Sequence, residues 1–409
     1  MGSTGELQSS PWPSLPADLA GLIFCRLPLS HADRLSFMAI CQQWRLAAKP
    51  HLDQLPPALP WLCTNYPTYR TFRSLPGGEV RRLNKRPDTC TPSSAADSTF
   101  FNGWLIYEYE RGDRSGTCFL ANPFTGETVD VTRRLVHVNE GLLDPAGHGF
   151  SIGDSVTKMI VCSPHLGAAS MKGNAVGFYR AGRPLWLATW QSGDKFFEDI
   201  AFHDGKLYGL TADEELLSFE IVDDSEGGED IEKKYIVWED DDDEEPDDGD
   251  DDDSAPDSEE EEELPSELHY LVKSCYNDKL LMVRWSVPPG RRRCMERSDN
   301  VAEGIKLWVF EADLEMAEWI EVEDDGLDGQ ALFVSEGCSR AIRLPSDHGD
   351  HRFQGGRVYF PGDDLSRYFD EIHSDNIPSY GFYDLKKGTI SLTYLDCPRH
   401  WLRSGWFFP

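Results

Sequence analysis

The feature that most restricts the fold of this chain is a recurring couplet: a short turn containing Gly, Asn or Asp, followed by a run of apolar, aromatic or β-branched residues. It occurs at Asn102-Gly103 before Trp104-Leu105-Ile106-Tyr107, and at Asp204-Gly205 before the run from Leu207 to Leu210. It recurs at Asn277-Asp278 before Leu280 to Val283, and at Gly355-Gly356 before Val358-Tyr359-Phe360. A second apolar run follows each one: Cys118-Phe119-Leu120, Leu217 to Ile221, Leu307 to Phe310 and Gly381 to Leu385. β-branched and aromatic side chains suit a pleated surface, and Gly, Asn and Asp tolerate the positive φ of tight hairpins, so the pattern predicts many short antiparallel strands.

The couplets are also spaced. Gly205 to Asp278 is 73 residues, of which 25 form an acidic run, and Asp278 to Gly356 is 78, close to two units of 39. A strand-built period of roughly 40 to 50 residues is that of β-propeller blades. Residues 61–409 without the acidic run amount to 324, enough for roughly seven blades of about 45 residues. The predicted fold is therefore mainly β, a propeller of about six to seven blades over residues 61–409, with a β-sandwich or a pair of barrels as the competing arrangement. Propeller rings are often closed by pairing strands from the two ends of the domain. The segments near Trp61 and from Trp406 to Phe408 are therefore expected in one blade or in adjacent blades.

Residues 11–52 read differently, as three short helices. Pro16 suits a first helical turn, and Leu19, Leu22, Ile23 and Leu27 follow at helical spacing until Pro28 ends the helix. Ser30 with Asp33 three residues on is a capping-box pattern for a second helix that carries Leu35 and Met38 inward. The third holds Ile40, Cys41, Trp44 and Leu46, and Pro50 stops it. About forty residues cannot bury enough apolar surface to be stable alone, so part of this apolar face is expected to meet another protein or domain. Residues 53–60 form a proline-rich connector.

The formal charge of −33 is mostly local, because residues 239–263 hold 19 Asp or Glu in 25 positions. Such a tract repels itself and has nothing to bury, so it is expected to be a disordered acidic insertion. The strand-like runs on either side, Tyr235 to Trp238 and Leu268 to Val272, make it a loop projecting from the propeller rather than a domain linker. The body that remains is moderately acidic, a poor match for phosphate backbones, so no nucleic-acid partner is predicted. No run of eighteen apolar residues occurs, and the first ten residues lack an apolar signal region, so no membrane span and no secretory signal are expected. Ten scattered cysteines without a C-x-x-C pair point to a reducing compartment, the cytoplasm or nucleus.

Motifs that carry chemistry elsewhere do not carry it here. Gly149-Phe150-Ser151-Ile152-Gly153 is a literal G-x-S-x-G, but a nucleophile elbow needs a strand before it and a helix after it. This one follows a turn and precedes Val156 to Val161, which alternates like a strand. Asp347-His348-Gly349-Asp350-His351 packs metal-ligand types into a polar loop with no framework to hold them. Arg291-Arg292-Arg293 suits an acidic or phosphorylated substrate, and reads more simply as a solvated loop. No catalytic residue, cofactor or metal is predicted.

Two resemblances add to this reading. Leu15-Pro16, Leu19, Ile23, Leu27-Pro28-Leu29, Asp33, Leu35, Cys41 and Trp44-Arg45 stand in the order of an F-box, with departures at Ile40 and Gln42-Gln43. The second part resembles the plant F-box proteins with a KIB-type, kelch-like β-propeller. That likeness rests on Pro60 to Leu62, Asn122 to Glu127, Phe202 to Leu210, Gly355 to Asp364 and Trp406 to Pro409. The resemblance implies a non-catalytic substrate-recognition subunit of an SCF-type cullin–RING ubiquitin ligase. In it Leu15, Pro16, Leu19, Ile23, Leu27, Leu35 and Trp44 would seat a Skp-family adaptor, and through it a cullin, while the propeller holds a target protein. The competing expectation is a protein-interaction scaffold with a vestigial F-box.

Overall fold

In the computed structural model the described residues are 15–27, 31–54, 58–66, 69–75, 78–84, 100–101, 104–108, 118–123, 126, 128–131, 135–137, 156–163, 166–171, 175–180, 186–190, 196–223, 229–237, 266–287, 305–323, 326–344, 353–362, 379–395 and 403–408. The acidic tract, the G-x-S-x-G, the Asp347 to His351 run, the triple arginine and Ser30 lie outside them.

Three helices come first: α1 (Ala17–Cys25), α2 (His31–Ile40) and α3 (Gln42–Ala48), followed by a 3-10 turn at Lys49–Gln54. Pro16 takes the N-cap with φ −55° and ψ 141°, one position earlier than expected, and its carbonyl accepts the Ala20 N–H at 3.0 Å. Pro50 lies in the 3-10 turn, where it cannot extend α3. Among the described residues no helix is long and apolar enough to cross a membrane.

The rest is strand. The first sheet has β1 (Trp61–Asn65), β2 (Tyr69–Ser74) and β3 (Val80–Asn84), and the second β4 (Phe100–Phe101), β5 (Trp104–Glu108), β6 (Cys118–Ala121) and β7 (Thr128–Val131). The third is built from β8 (Leu135–His137), β9 (Val156–Ser163), β10 (Leu166–Met171), β11 (Ala175–Arg180) and β12 (Trp186–Trp190). The fourth comprises β13 (Phe197–His203), β14 (Lys206–Thr211), β15 (Leu216–Asp223) and β16 (Glu229–Val237). The fifth has β17 (Ser266–Lys273), β18 (Leu280–Val287), β19 (Lys306–Asp313) and β20 (Glu318–Glu321). The sixth has β21 (Gln330–Phe333), β22 (Arg340–Arg343), β23 (Arg357–Pro361), β24 (Tyr380–Asp384) and β25 (Thr389–Thr393). The last strand, β26 (Arg403–Phe407), returns to the first sheet and pairs antiparallel with β1, from Trp61 opposite Phe407 to Asn65 opposite Arg403.

Local chemistry explains the hairpins. Asp204 and Gly205 have φ of 44° and 80° between the paired His203 and Lys206, the double positive φ of a two-residue turn whose twist matches its strands. Side-chain alternation explains why runs such as Leu280 to Val283 are apolar at every position. Leu280 and Met282 pack with Ala201, Leu210 and Leu216 of the fourth sheet, while Leu281, Val283 and Trp285 pack with Leu332, Val358 and Phe360 of the sixth. A sheet buried on both faces needs no polar alternation. The same sharing joins the third sheet to the fourth around Phe178 and Phe219, the sixth to the first around Phe333 and Trp406, and the first to the second around Phe72 and Leu105. β4 also packs on β9, linking the second sheet to the third.

The sheets thus form a ring, a β-propeller, and the sandwich or paired barrels are excluded. The expectation of about six to seven blades, and the roughly seven given by the spacing, is corrected. Among the described residues, five sheets each come from one continuous stretch, and one more is assembled from the two ends of the domain. Nor is every ladder antiparallel, since β8 pairs with β12, and β21 with β23, in parallel.

Candidate functional site

The helical head buries aromatics and leaves its leucines outside. Its core is Ala20 and Phe24 of α1, Phe37 of α2, and Trp44, Ala47 and Ala48 of α3. Phe37 sits between Phe24 and Trp44, with ring centroids at 5.2 and 4.5 Å. On the far face of α1, Leu19, Leu22 and Ile23 are 49, 54 and 37% exposed, and Ile40 and Leu46 are exposed on the neighbouring helices. Five large aliphatic side chains facing water on so small a unit form the apolar surface that an isolated protein avoids.

The predicted site residues fall into three groups. Leu19 and Ile23 lie on the exposed face, with Pro16 exposed at its start. Leu15, Leu27 and Leu35 are half-buried, and Leu15 and Leu27 pack against the head's core. Trp44 is buried within that core at 6% exposure, so its large ring holds the helices together. The residues of α2 expected inward were Leu35 and Met38. Both are half-buried, and Phe37 takes the central position because only a ring spans from Phe24 to Trp44. Leu22, Ile40 and Leu46 were legible as apolar, and their exposure was not.

The propeller holds a polar network that sequence reading missed. His269 on β17 is buried, and Glu198 Oε2 accepts from both its Nδ1 at 2.7 Å and its backbone N–H at 2.8 Å. Its Nε2 donates to Glu214 Oε1 at 3.1 Å, and Arg284 Nη1 donates to the same oxygen at 2.9 Å. The Arg284 guanidinium lies over Trp308 and Phe310 at 5.0 and 4.8 Å. Burial opposes a charge on His269, but the hydrogen bonds and charges of Glu198 and Glu214 outweigh it and raise its pKa to about 9. Glu214 is likewise opposed by burial and held below the usual carboxylate range by His269 and Arg284. Its backbone has φ 61°, and its carbonyl accepts Trp319 Nε1–H at 2.8 Å.

Glu214, Glu267 and His269 bring three metal-ligand atoms within 4.8 Å of one another. With carboxylates on both ring nitrogens, His269 is an imidazolium that has no lone pair to give a metal, and Arg284 already neutralises Glu214. The cluster is a clamp between the fourth and fifth sheets rather than a metal centre.

Comparison with solved structures finds weak likenesses. One is YCF48 from Cyanidioschyzon merolae, at 10% identity and TM-score 0.28, over 62% of this chain and 66% of that one. Another is a chain of the S. cerevisiae Dbp5 complex with Nup159, Gle1, IP6 and ADP, at 9% and 0.28, over 86% and 76%. A third is a chain of the nidogen/laminin complex, at 10% and 0.28, over 64% and 91%. No curated protein matches the chain. A family-level comparison, by contrast, matches residues 72–384, more than three quarters of the chain, to the KIB1-4 beta-propeller. With its sheets closed in a ring by a strand from the far end of the domain, the chain belongs to the KIB1-4 beta-propeller family.

Proposed function

We propose that this protein is the substrate-recognition subunit of an SCF-type cullin–RING ubiquitin ligase, in the cytoplasm or nucleus. Its helical head binds a Skp-family adaptor as an F-box, and its propeller binds a target protein. The observation that carries the reading is the exposed aliphatic face of Leu19, Leu22 and Ile23, on a head whose own core is already filled by Phe24, Phe37 and Trp44. Burying apolar side chains of this kind is worth roughly 1.5 to 3 kcal/mol each, the scale on which a partner helix group is held. In this role the protein makes and breaks no bonds. It raises the concentration of the target's lysines beside the charged thioester, so the gain is one of proximity.

The test is co-purification of the full chain with a Skp-family adaptor, comparing wild type with Leu19→Asp and Ile23→Asp. Both side chains are exposed, so the variants keep the wild-type circular dichroism while losing the adaptor. The assembled complex then ubiquitylates a propeller-bound partner. An adaptor that ignores the wild-type chain would replace this reading with that of a scaffold carrying a vestigial F-box.

A further inference from the structure

The seam between the fourth and fifth sheets carries two histidines with opposite surroundings. Along β13, Ile200 and Phe202 pack with Phe178 of the third sheet, while Ala201 packs with Leu271, Leu280 and Met282 of the fifth. By the alternation of a strand, His203 therefore faces the fifth sheet as Ala201 does. It is 6% exposed, and its Nδ1 has no hydrogen-bond partner among the described residues. His269, on β17, closes the other end of the same seam, and there both ring nitrogens meet a carboxylate, of Glu198 and of Glu214. Between the two, Asp199 Oδ2 accepts the Leu271 N–H at 2.8 Å, a hydrogen bond that crosses from one sheet to the other.

The groups around His203 do not seat a second proton on it. Its own hairpin brings Asp204 and Lys206, and Lys206 is taken by Glu220 at 2.7 Å. On β14 the Tyr208 ring lies 6.1 Å away, and burial pushes its pKa up, so its hydroxyl stays neutral. From the fifth sheet come Lys273 on β17 and Asp278 in the turn before β18, which meet each other at 2.7 Å. Burial holds the His203 pKa below its ordinary 6.5: Asp278 and Asp204 pull upward, Lys273 pushes downward, and burial prevails. The geometry gives the same sign. An imidazolium carries an N–H on both nitrogens, and the one on Nδ1 would be buried without an acceptor.

We propose that this seam is an acid-sensitive joint with His203 as its sensor: proton uptake by the His203 imidazole parts the fourth and fifth sheets at that end, while the His269 clamp holds the other. A neutral His203 stays packed. Below the ordinary value of 6.5 the proton is held better by a ring that has left the seam for water, so acidification favours the opened joint. The seam is thus complete above about 6.5 and is weakened as pH falls below it. His269 keeps its charge throughout, because its pKa is about 9. The joint is independent of the adaptor reading, since it uses no residue of the head.

Amide hydrogen exchange of the full chain, resolved to single residues and corrected for its intrinsic pH dependence, tests the joint between about pH 7.5 and about pH 5.5. The Leu271 N–H reports the joint, and the His269 N–H, held by Glu198, reports the clamp. The Val334 N–H, held by the Tyr359 carbonyl at 2.9 Å, reports the sixth sheet. On acidification, exchange at Leu271 speeds by up to about tenfold in wild type, while His269 and Val334 do not follow. His203→Gln, shown to be folded by circular dichroism, loses that rise. No rise at Leu271, an equal rise at Val334, or the same rise in the folded variant overturns the proposal. If the variant does not fold, NMR titration of the His203 ring in wild type decides: a midpoint below 6.5 supports the joint, and one at or above 6.5 overturns it.

Discussion

At the residue scale, the His269 clamp makes stability depend on pH in a direction that can be worked out. Its folded-state pKa, about 9, lies above the ordinary value of 6.5. The bound proton therefore favours the folded state, and the contribution is complete below about 6.5 and lost as pH rises through about 9. Urea unfolding followed from about pH 6 to about pH 10 should show a falling midpoint in wild type. His269→Gln, which carries no titrating proton, should begin lower and change less over that range. An equal decline in both would remove His269 as the cause. Glu214 repays the unfavourable backbone of its positive φ by serving His269, Arg284 and Trp319 at once.

At the scale of the element, the final strand decides whether the ring is closed. Trp406 on β26 is fully buried, donates Nε1–H to the Tyr359 carbonyl at 3.2 Å, and meets Phe333 edge-on at 5.4 Å. Removing so large a ring from a packed seam costs about 3 to 5 kcal/mol. Trp406→Ala should lower the propeller's unfolding free energy, read by urea denaturation, by that amount, and truncation before Arg403 should do worse, since it leaves one edge of β1 without a ladder. A truncated chain as stable as wild type would show that β26 does not close the ring. Gly381 is fixed for a related reason: a Cβ there would come within 2.5 Å of the Phe360 ring.

At the scale of the whole molecule, the head and the propeller have separate cores. Among the described residues, none of those packed around Phe24, Phe37 and Trp44 belongs to a propeller cluster, and no propeller cluster includes a head residue. Calorimetry should therefore resolve two transitions. Trp44→Ala, costing about 3 to 5 kcal/mol, should lower only the head's transition. If the substitution lowers both equally, the two parts unfold as one unit. The same reasoning makes Trp44→Ala a poor probe of adaptor contact, because it unfolds the surface it is meant to test, whereas Leu19→Asp does not.

Strand positions were legible in the sequence because their causes are local. Asp204-Gly205 and Gly355-Gly356 allow the backbone its positive φ, and the apolar runs beside them have nowhere to go but a sheet. The pairing of the chain's ends was also anticipated, from the general need of a ring to close. What the sequence could not settle was how much chain each blade uses, since connection length is not encoded in strand pattern. Nor could it say which side of an amphipathic helix faces water, and the leucines of α1 and the ring of Trp44 took opposite roles from equally apolar residues. Glu198, Glu214 and His269 are far apart in sequence and share no motif. Only the ring brings them together, because radial sheets meet their neighbours along strands separated by tens of residues, and a charge cluster built that way leaves no local signature.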